Sequence, residues 1–335
     1  MTIHGNPRPI VFQVTFLMIA VFHSGGGFAQ HPTIRNKKDV DKLVSKISNW
    51  GRWGAEDQRG TLNLISAEKR REAAALVKNG ISVSLAHHLE TDVAADNGKP
   101  FVHQMLTNGQ DSDGQWAMDN YSISYHGLAH THMDSLCHLF YDGRMYNGFK
   151  RDGVGPNGAE KLSIDNIREG IFTCGVLIDI PKLRGVRYLD PGSPIMPEEL
   201  EAWESKIGVR IKPGDVVFIR TGRWARRKLH GPWDPKNDGM AGLHASCGQW
   251  IRDRDLAMIG SDAALDVIPS GVKGVTHPVH VFTLHAMGVH IFDNCDLESL
   301  SETCLKLDRW KFLITASPLV VRGGTGSPLN PIATF

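Results

Sequence analysis

Four histidines fall within residues 126–138: His126, His130, His132 and His138. The chain has 16 histidines in 335 residues, so about 0.6 would be expected in such a window from composition alone. Spacing adds to the signal. Residues two apart share one face of an extended strand, so His130, His132 and Asp134 would point the same way. Two neutral imidazoles and a carboxylate make three ligands for a divalent cation. His138 lies four residues beyond Asp134 and enters the same pocket if the strand turns there. A cation with an open position lowers the pKa of a bound water toward neutrality and polarises a carbonyl oxygen. An imidazole beside it, with an ordinary pKa of roughly 6.5, can take a proton and return it. A hydrogen-bonded surface histidine is the blander reading for any one of these residues, but the types and spacing together favour a metal site. Cys137 has the opposite strand parity and reads as a core thiol.

A second cluster follows at His277, His280, His285, His290, Asp293 and Asn294. If residues 279–288 are helical, His280 starts the helix and His285 lies about 500° further round, off its face. His290 and Phe292 share a strand parity that Asp293 does not. Spacing alone selects no single ligand here. The elements that must position both clusters are legible in outline. Ser66 is a suitable N-cap for a helix over 67–79, and Gly80 is placed to end it. Residues 81–85 alternate like a strand. Residues 175–180 and 216–220 read as buried strands, and 197–207 as a helix with Pro197 in its first turn. Residues 256–261, 289–292 and 311–321 read as further strands. The polar, Gly-rich stretches near 93–118 and 227–246 read as long loops. The whole is mixed α and β without a clean βαβ rhythm.

Composition bounds the function. Lys plus Arg is 37 and Asp plus Glu is 36, a formal net charge of +1, with 41% hydrophobic and 22% charged residues. That mixture is globular and excludes a disordered chain. Without a basic excess, nucleic-acid binding is not expected. After Arg8, residues 10–22 form an apolar run of 13, followed by small residues at Gly27 and Ala29. The run is shorter than the roughly 17–25 residues of a spanning helix. It fits an export signal over 1–29, whose cleavage would leave 30–335 as one domain in the periplasm or outside the cell, free of the membrane. The five cysteines are Cys137, Cys174, Cys247, Cys295 and Cys304. They are too few for a disulfide scaffold and read as buried thiols. No G-x-S-x-G motif supports a serine nucleophile. Gly323-Gly324-Thr325-Gly326-Ser327 reads as a Gly-rich turn rather than a phosphate loop. Trp50, Trp53 and Trp116 could wall an aromatic site or be structural.

The segment 128–138 resembles the H-x-G-T-H-x-D-x-P-x-H pattern of the cyclase-type metal-dependent hydrolases, a family that includes bacterial kynurenine formamidase and isatin hydrolase. Thr131, His132, Asp134 and His138 stand where that pattern has T-H-x-D-x-x-x-H. Flanking residues from Trp50-Gly51-Arg52-Trp53-Gly54 to Pro318 and Pro328 extend the resemblance over nearly all of the mature chain, whose length suggests the longer branch. Three positions depart from the pattern. Leu128 replaces its first His, His130 its Gly and Leu136 its Pro.

The resemblance implies a single β/β/α swivelling-domain fold, a homo-oligomer, and one or two divalent ions, Zn²⁺ or Mn²⁺. It makes His132 and Asp134 metal ligands, with Asp134 able to bridge two ions, and His138 the proton donor and acceptor. Its later ligands fall near His280 and Asp293, where Asp replaces the family's Glu. His130 or His126 would then replace the ligand lost at Leu128. The implied reaction is hydrolysis of an amide or lactam carbonyl in a small molecule. The substrate would be an aryl formamide such as N-formylkynurenine, in tryptophan catabolism, or a cyclic amide such as isatin. A polyketide-type cyclase or dehydratase would use the same groups. A non-catalytic periplasmic metal- or solute-binding protein would need the ligands but not His138.

Overall fold

A computed structural model describes residues 1–2, 31–110 and 114–335. The export segment expected over 1–29 lies, but for its first two residues, outside the described residues. Residues His31–Phe335 form a compact unit around one nine-stranded mixed sheet. In chain order its strands, with one separate hairpin, are β1 (Ser82–Ser84), the hairpin β2 (Val102–Thr107) and β3 (Met118–Ser122), β4 (His132–Asp134), β5 (Ile171–Asp179), β6 (Val216–Arg220), β7 (Met258–Ser261), β8 (His290–Asp293), β9 (Lys311–Ala316), β10 (Gly326–Pro328) and β11 (Ile332–Thr334). The sheet order is β1-β11-β9-β5-β6-β7-β8-β4-β10.

The centre of the sheet is parallel: β5, β6, β7 and β8 run the same way. Their residues are buried almost without exception. A strand covered on both faces carries apolar residues continuously rather than alternately, which is why GVLID and VVFIR read as unbroken runs. Phe218 stacks near Phe292 and Phe312, with ring centroids 5.7 and 6.4 Å away. Gly260 on β7 makes room for this packing, since a Cβ there would lie 2.9 Å from atoms of both Phe218 and Phe292. The remaining pairings of this nine-stranded sheet are antiparallel, and β4 is held between β8 and β10.

Helices cover the sheet. They include α1 (Lys37–Ile47), α2 (Ala67–Ala74), α3 (Pro197–Ile207), α4 (Arg223–His230), α5 (Cys247–Asp253), α6 (Pro278–His280) and α7 (Glu298–Leu307). The chain continues from α6 as a π-helix, Val281–Met287. α3 has the bounds expected from sequence, with Pro197 in its first turn and Gly208 in the left-handed conformation at its end. Among the described residues no helix is long and apolar enough to cross a membrane. All five cysteines are buried and unpaired.

Several elements differ from the sequence expectation. The mixed sheet does contain a four-stranded parallel core, so a βαβ order exists, broken up by irregular connections. Ser66 caps α2 as expected, its side chain accepting from Lys69 N, but the helix ends at Ala74 rather than 79. Past its end the chain is tied elsewhere, with Arg309 Nη2 donating to Leu76 O and Nη1 to Asn79 Oδ1. β9 stops at Ala316, ahead of Pro318, which has no N–H to continue a ladder. The stretch near 93–118 is not a plain loop, because it holds β2 and runs into β3. The stretch 227–246 begins inside α4 and includes a short parallel pairing of Gly242 and Leu243 with Pro194 and Ile195.

Candidate metal centre

β4 supplies the first two side chains. His132 and Asp134 are two apart on one strand and face the same way, while Met133 between them packs into the core. On β8, Asp293 lies directly opposite His132, so its carboxylate joins the same face. Asp293 is the last residue of β8, and the site therefore sits at the carboxyl end of a parallel strand, where open α/β sheets place ligands. α6 brings His280 to this end, and the turn before β4 brings His126. His138 follows β4 by one turn, its N–H donating to Ser135 O.

These side chains form two potential ligand sets that share Asp134: His126, His132 and Asp134, and Asp134, His280 and Asp293. Within each set the ligand atoms lie within 4.8 Å of one another. Asp134 Oδ1 is 3.0 Å from His126 Nδ1 and 3.5 Å from His132 Nε2. Its other oxygen, Oδ2, is 3.9 Å from His138 Nε2 and 4.0 Å from His280 Nε2. His280 Nε2 is 3.7 Å from Asp293 Oδ2. Asp134, His132, His280 and Asp293 are buried, yet both Asp134 oxygens, Asp293 Oδ1 and His126 Nδ1 complete no hydrogen bond of normal geometry. Buried polar atoms without partners are costly. Carboxylates and imidazoles converging on common points are the hard and borderline donors that suit a divalent cation. The residues present fit one.

Neighbouring groups orient the donors. His132 Nδ1 donates to His130 O at 2.8 Å, and His280 Nδ1 donates to Asp266 Oδ2 at 2.6 Å. Each bond fixes the tautomer that leaves Nε2 with a lone pair toward the centre. Asp266 also accepts from the backbone N–H groups of Val279 and His280, so one buried carboxylate anchors both the start of α6 and its ligand. Burial alone would raise the Asp134 carboxyl, but the imidazoles of His138, His126 and His132 hold it well below the usual carboxylate range. Burial likewise works against a charged His280, and Asp266 and Asp293 reverse it, raising that imidazole. Burial lowers His138, with Asp134 pulling the other way.

Two supports were not legible in the sequence. Gly326 on the edge strand β10 lies opposite Asp134, and a Cβ there would come 2.5 Å from Met133 O and 3.0 Å from His126 Cε1. The preceding Thr325 Oγ1 is 3.0 Å from His126 Nε2. The Gly-rich turn is thus part of the site's wall. Behind it, Asn294 accepts from Arg223 Nη1 at 2.6 Å and donates to Gly127 O and His130 O at 2.8 and 3.3 Å. Arg223 is fully buried and also meets Asp96. The sequence offered only Asn294's position beside Asp293 as a signal.

Of the sequence-derived candidates, His132, Asp134, His138, His280 and Asp293 come together. His130 does not enter either set, which corrects the expectation that strand parity carries back to it. β4 begins at His132, so residue 130 precedes the strand. Its carbonyl serves the site, while its buried ring faces the Lys99 backbone and lines a cavity with Lys99 and Lys236. His126, the other substitute considered for the position lost at Leu128, falls in the first of the two potential sets and stacks on His138 with ring centroids 3.9 Å apart. His285 turns away, bonding Arg144 O, and the Nε1 of Trp50 donates to the backbone O of His285. Of the tryptophans considered for an aromatic wall, Trp50 packs edge-on against His285, Trp53 lies under Arg52 and Trp116 is exposed on the hairpin.

Residues 81–265 match the family model described as "Putative cyclase". The chain belongs to that family. A solved structure described as a novel cyclase is 31% identical, with a TM-score of 0.78 over 87% of this chain and 99% of its own. Two isatin hydrolases A share the fold at lower identity. That of Labrenzia aggregata, bound to benzyl benzoate, is 23% identical with a TM-score of 0.55, covering 78% of this chain and 94% of its own. That of Ralstonia solanacearum is 21% identical with a TM-score of 0.54, covering 76% and 92%. No curated protein matches. The cyclase family's mixed α/β fold is thus the fold of this chain, and within it the His/Asp cluster is built for a divalent metal.

Proposed function

We propose that this cyclase-family protein is a metal-dependent hydrolase that opens an amide or lactam carbonyl of a small, largely apolar molecule, with an aryl formamide such as N-formylkynurenine as the first candidate and an isatin-like lactam as the second. The observation that carries the reading is the separation of roles around Asp134. Five residues, His126, His132, Asp134, His280 and Asp293, make up the two ligand sets. His138 belongs to neither, stands 3.9 Å from Asp134, and keeps 32% of its side chain exposed while Asp134 keeps 1%. His126 is itself 28% exposed, so the distinction is one of position: a storage site has no use for an imidazole that faces Asp134 from outside both ligand sets, but a hydrolase does.

A divalent cation bound there, zinc or manganese, supplies Lewis-acid polarisation of a carbonyl and acidifies water. The chain's own residues do the rest. His138 accepts a proton from the attacking water as the new C–O bond forms and delivers it to the nitrogen as the C–N bond breaks, since imidazole serves both directions near neutral pH. Asp134 faces His138 and stabilises its protonated form between the two steps. Asp266 and His130 O keep His280 and His132 in the tautomers the ligands need. A cavity of about 800 Å³ is lined by Leu128, Ala264, Ile268, Val272, Val275 and His277 among others, with no member of the ligand sets in its wall. The His277 ring is 5.6 Å from that of His280. Its apolar walls suit an aromatic body with few polar groups.

The test is metal analysis of the purified protein joined to a panel of aryl formamides and lactams, with His138→Gln alongside. The expected result is bound zinc or manganese, turnover of at least one class, and a loss of about 10²–10⁴-fold in kcat for His138→Gln with metal content unchanged. A metal-loaded native protein that turns over no formamide or lactam, or a fully active His138→Gln, would remove the assignment.

A further inference from the structure

A smaller cavity, of about 340 Å³, has Lys99, Ser124, His126, Leu128, His130 and Lys236 in its wall. His126 belongs to the first ligand set, so this space opens onto the metal centre. Leu128 and Lys236 also line the apolar cavity of about 800 Å³. The two spaces therefore adjoin at these two side chains. Together they lead from an apolar recess to the edge of the centre. Two of the three departures from the family pattern, Leu128 in place of His and His130 in place of Gly, stand in the small cavity's wall. The chain departs from its family where a bound molecule would lie, while His132 and Asp134 keep the pattern.

The charge around these spaces says what that molecule carries. Lys99 and Lys236 line the small cavity, and Lys236 and Lys273 the large one. Among the described residues no carboxylate lines the large cavity. Two line the small one, Asp96 and Asp234, and both are engaged elsewhere. Asp96 is buried against Arg223 and Arg227, at 3.1 and 2.8 Å. Asp234 caps the single helical turn Pro235–Asp238, accepting from the backbone N–H of Lys236 at 2.9 Å and from Asn237 Nδ2 at 2.7 Å. Among the described residues none of the three lysines makes an ion pair. Lys236 also stands on anchored backbone. Trp233 and Pro235 beside it are buried, and Trp233 Nε1 donates to Gly239 O at 3.0 Å across the turn. A cleft lined by one sign of charge between apolar walls focuses its field on an ion of the other sign.

We propose that Lys236 determines specificity at this site and that the substrate is an amphipathic acid. Its carboxylate meets Lys236, with Lys99 beside it, its apolar body fills the large cavity, and its scissile carbonyl reaches the centre past His126. The last of these rests on the hydrolase reading, and the others on the two cavities. Of the two substrate classes proposed above, an N-formylated amino acid carries such a carboxylate and an isatin-like lactam does not. The test is titration of the metal-loaded protein, followed by ligand-observed NMR, with phenylbutyrate and with its neutral amide, phenylbutyramide, beside Lys236→Met and Lys236→Glu. Lys236 is exposed, so neither variant disturbs the core. The native protein should bind the acid about 10-fold or more tightly than the amide, as a hydrogen bond to a charged partner supplies. Lys236→Met should remove that preference and Lys236→Glu should turn it toward the amide. A native protein that binds neither probe, or both equally, overturns the proposal. So does an acid preference that Lys236→Met retains, since the carboxylate would then sit on the metal or on another cation. Binding is read without turnover, so a protein that shows the expected preference yet hydrolyses no amide upholds the carboxylate site and loses the hydrolase reading alone.

Discussion

Asp134 is the residue on which the site turns, because its two oxygens face different neighbours and no ordinary hydrogen bond claims either. A histidine matters to the centre only if it reaches one of those oxygens. His126 reaches Oδ1 at 3.0 Å; His130, nearer in sequence, lies in neither ligand set. This gives an unequal pair of substitutions. His126→Ala should lower metal affinity by more than the roughly 10–100-fold typical of removing an outer hydrogen-bond partner. His130→Ala leaves the carbonyl that orients His132 in place and should bind metal nearly as the native chain does. Titration of both apoproteins with zinc, followed by metal counting, checks this, and equal losses would show that the two sets are wrongly drawn. The sequence carried His132 and Asp134 clearly, since both lie within one strand and parity applies. It could not decide between His126 and His130, because where a short strand begins depends on its partners in the sheet.

At the scale of elements, the site depends on β4 being gripped from both sides. β8 brings Asp293 opposite His132, and β10 brings a glycine opposite Asp134. The second grip allows no side chain: a Cβ at Gly326 would meet backbone at 2.5 Å. Backbone cannot step aside as a flexible side chain can, so Gly326→Ala should push β10 away and take Thr325 off His126. The expected cost is about 1–3 kcal/mol of stability, in the range of overpacked sites, together with weakened metal binding. Chemical denaturation and metal titration of the same variant measure the two effects, and a variant native in both would show that β10 can shift freely. Sequence patterns found the buried strands and α3, where apolar runs and Pro or Gly punctuation act locally. They missed the roles of β10, Asp266 and Arg223, because each works across long sequence separation. Nothing near Asp266 announces that it will cap α6 and orient His280.

For the whole molecule, the ligands come from a turn before β4, from β4 itself, from α6 and from β8. These segments span residues 126 to 293. A cation held by all of them ties together parts of the chain that the sheet alone joins through a three-residue strand. The parallel order of the core was not legible, since the irregular connections hide the alternation of strands and helices, yet that order brings His280 and Asp293 back to β4. The unfolded chain cannot assemble this set, so metal stabilises the folded state by mass action. At a free concentration 100–1,000 times Kd the gain is about 2.7–4.1 kcal/mol. For a domain of this size that corresponds to a shift in Tm on the order of 5 °C. Chelation should therefore lower Tm by that amount, and add-back of zinc or manganese should restore it along with activity. The same chelation should do little to Asp134→Asn, whose binding is already impaired. A chelated native protein that melts unchanged, with the ion shown by elemental analysis to be gone, would mean that the sheet positions these five side chains unaided and that the metal's part is confined to the chemistry.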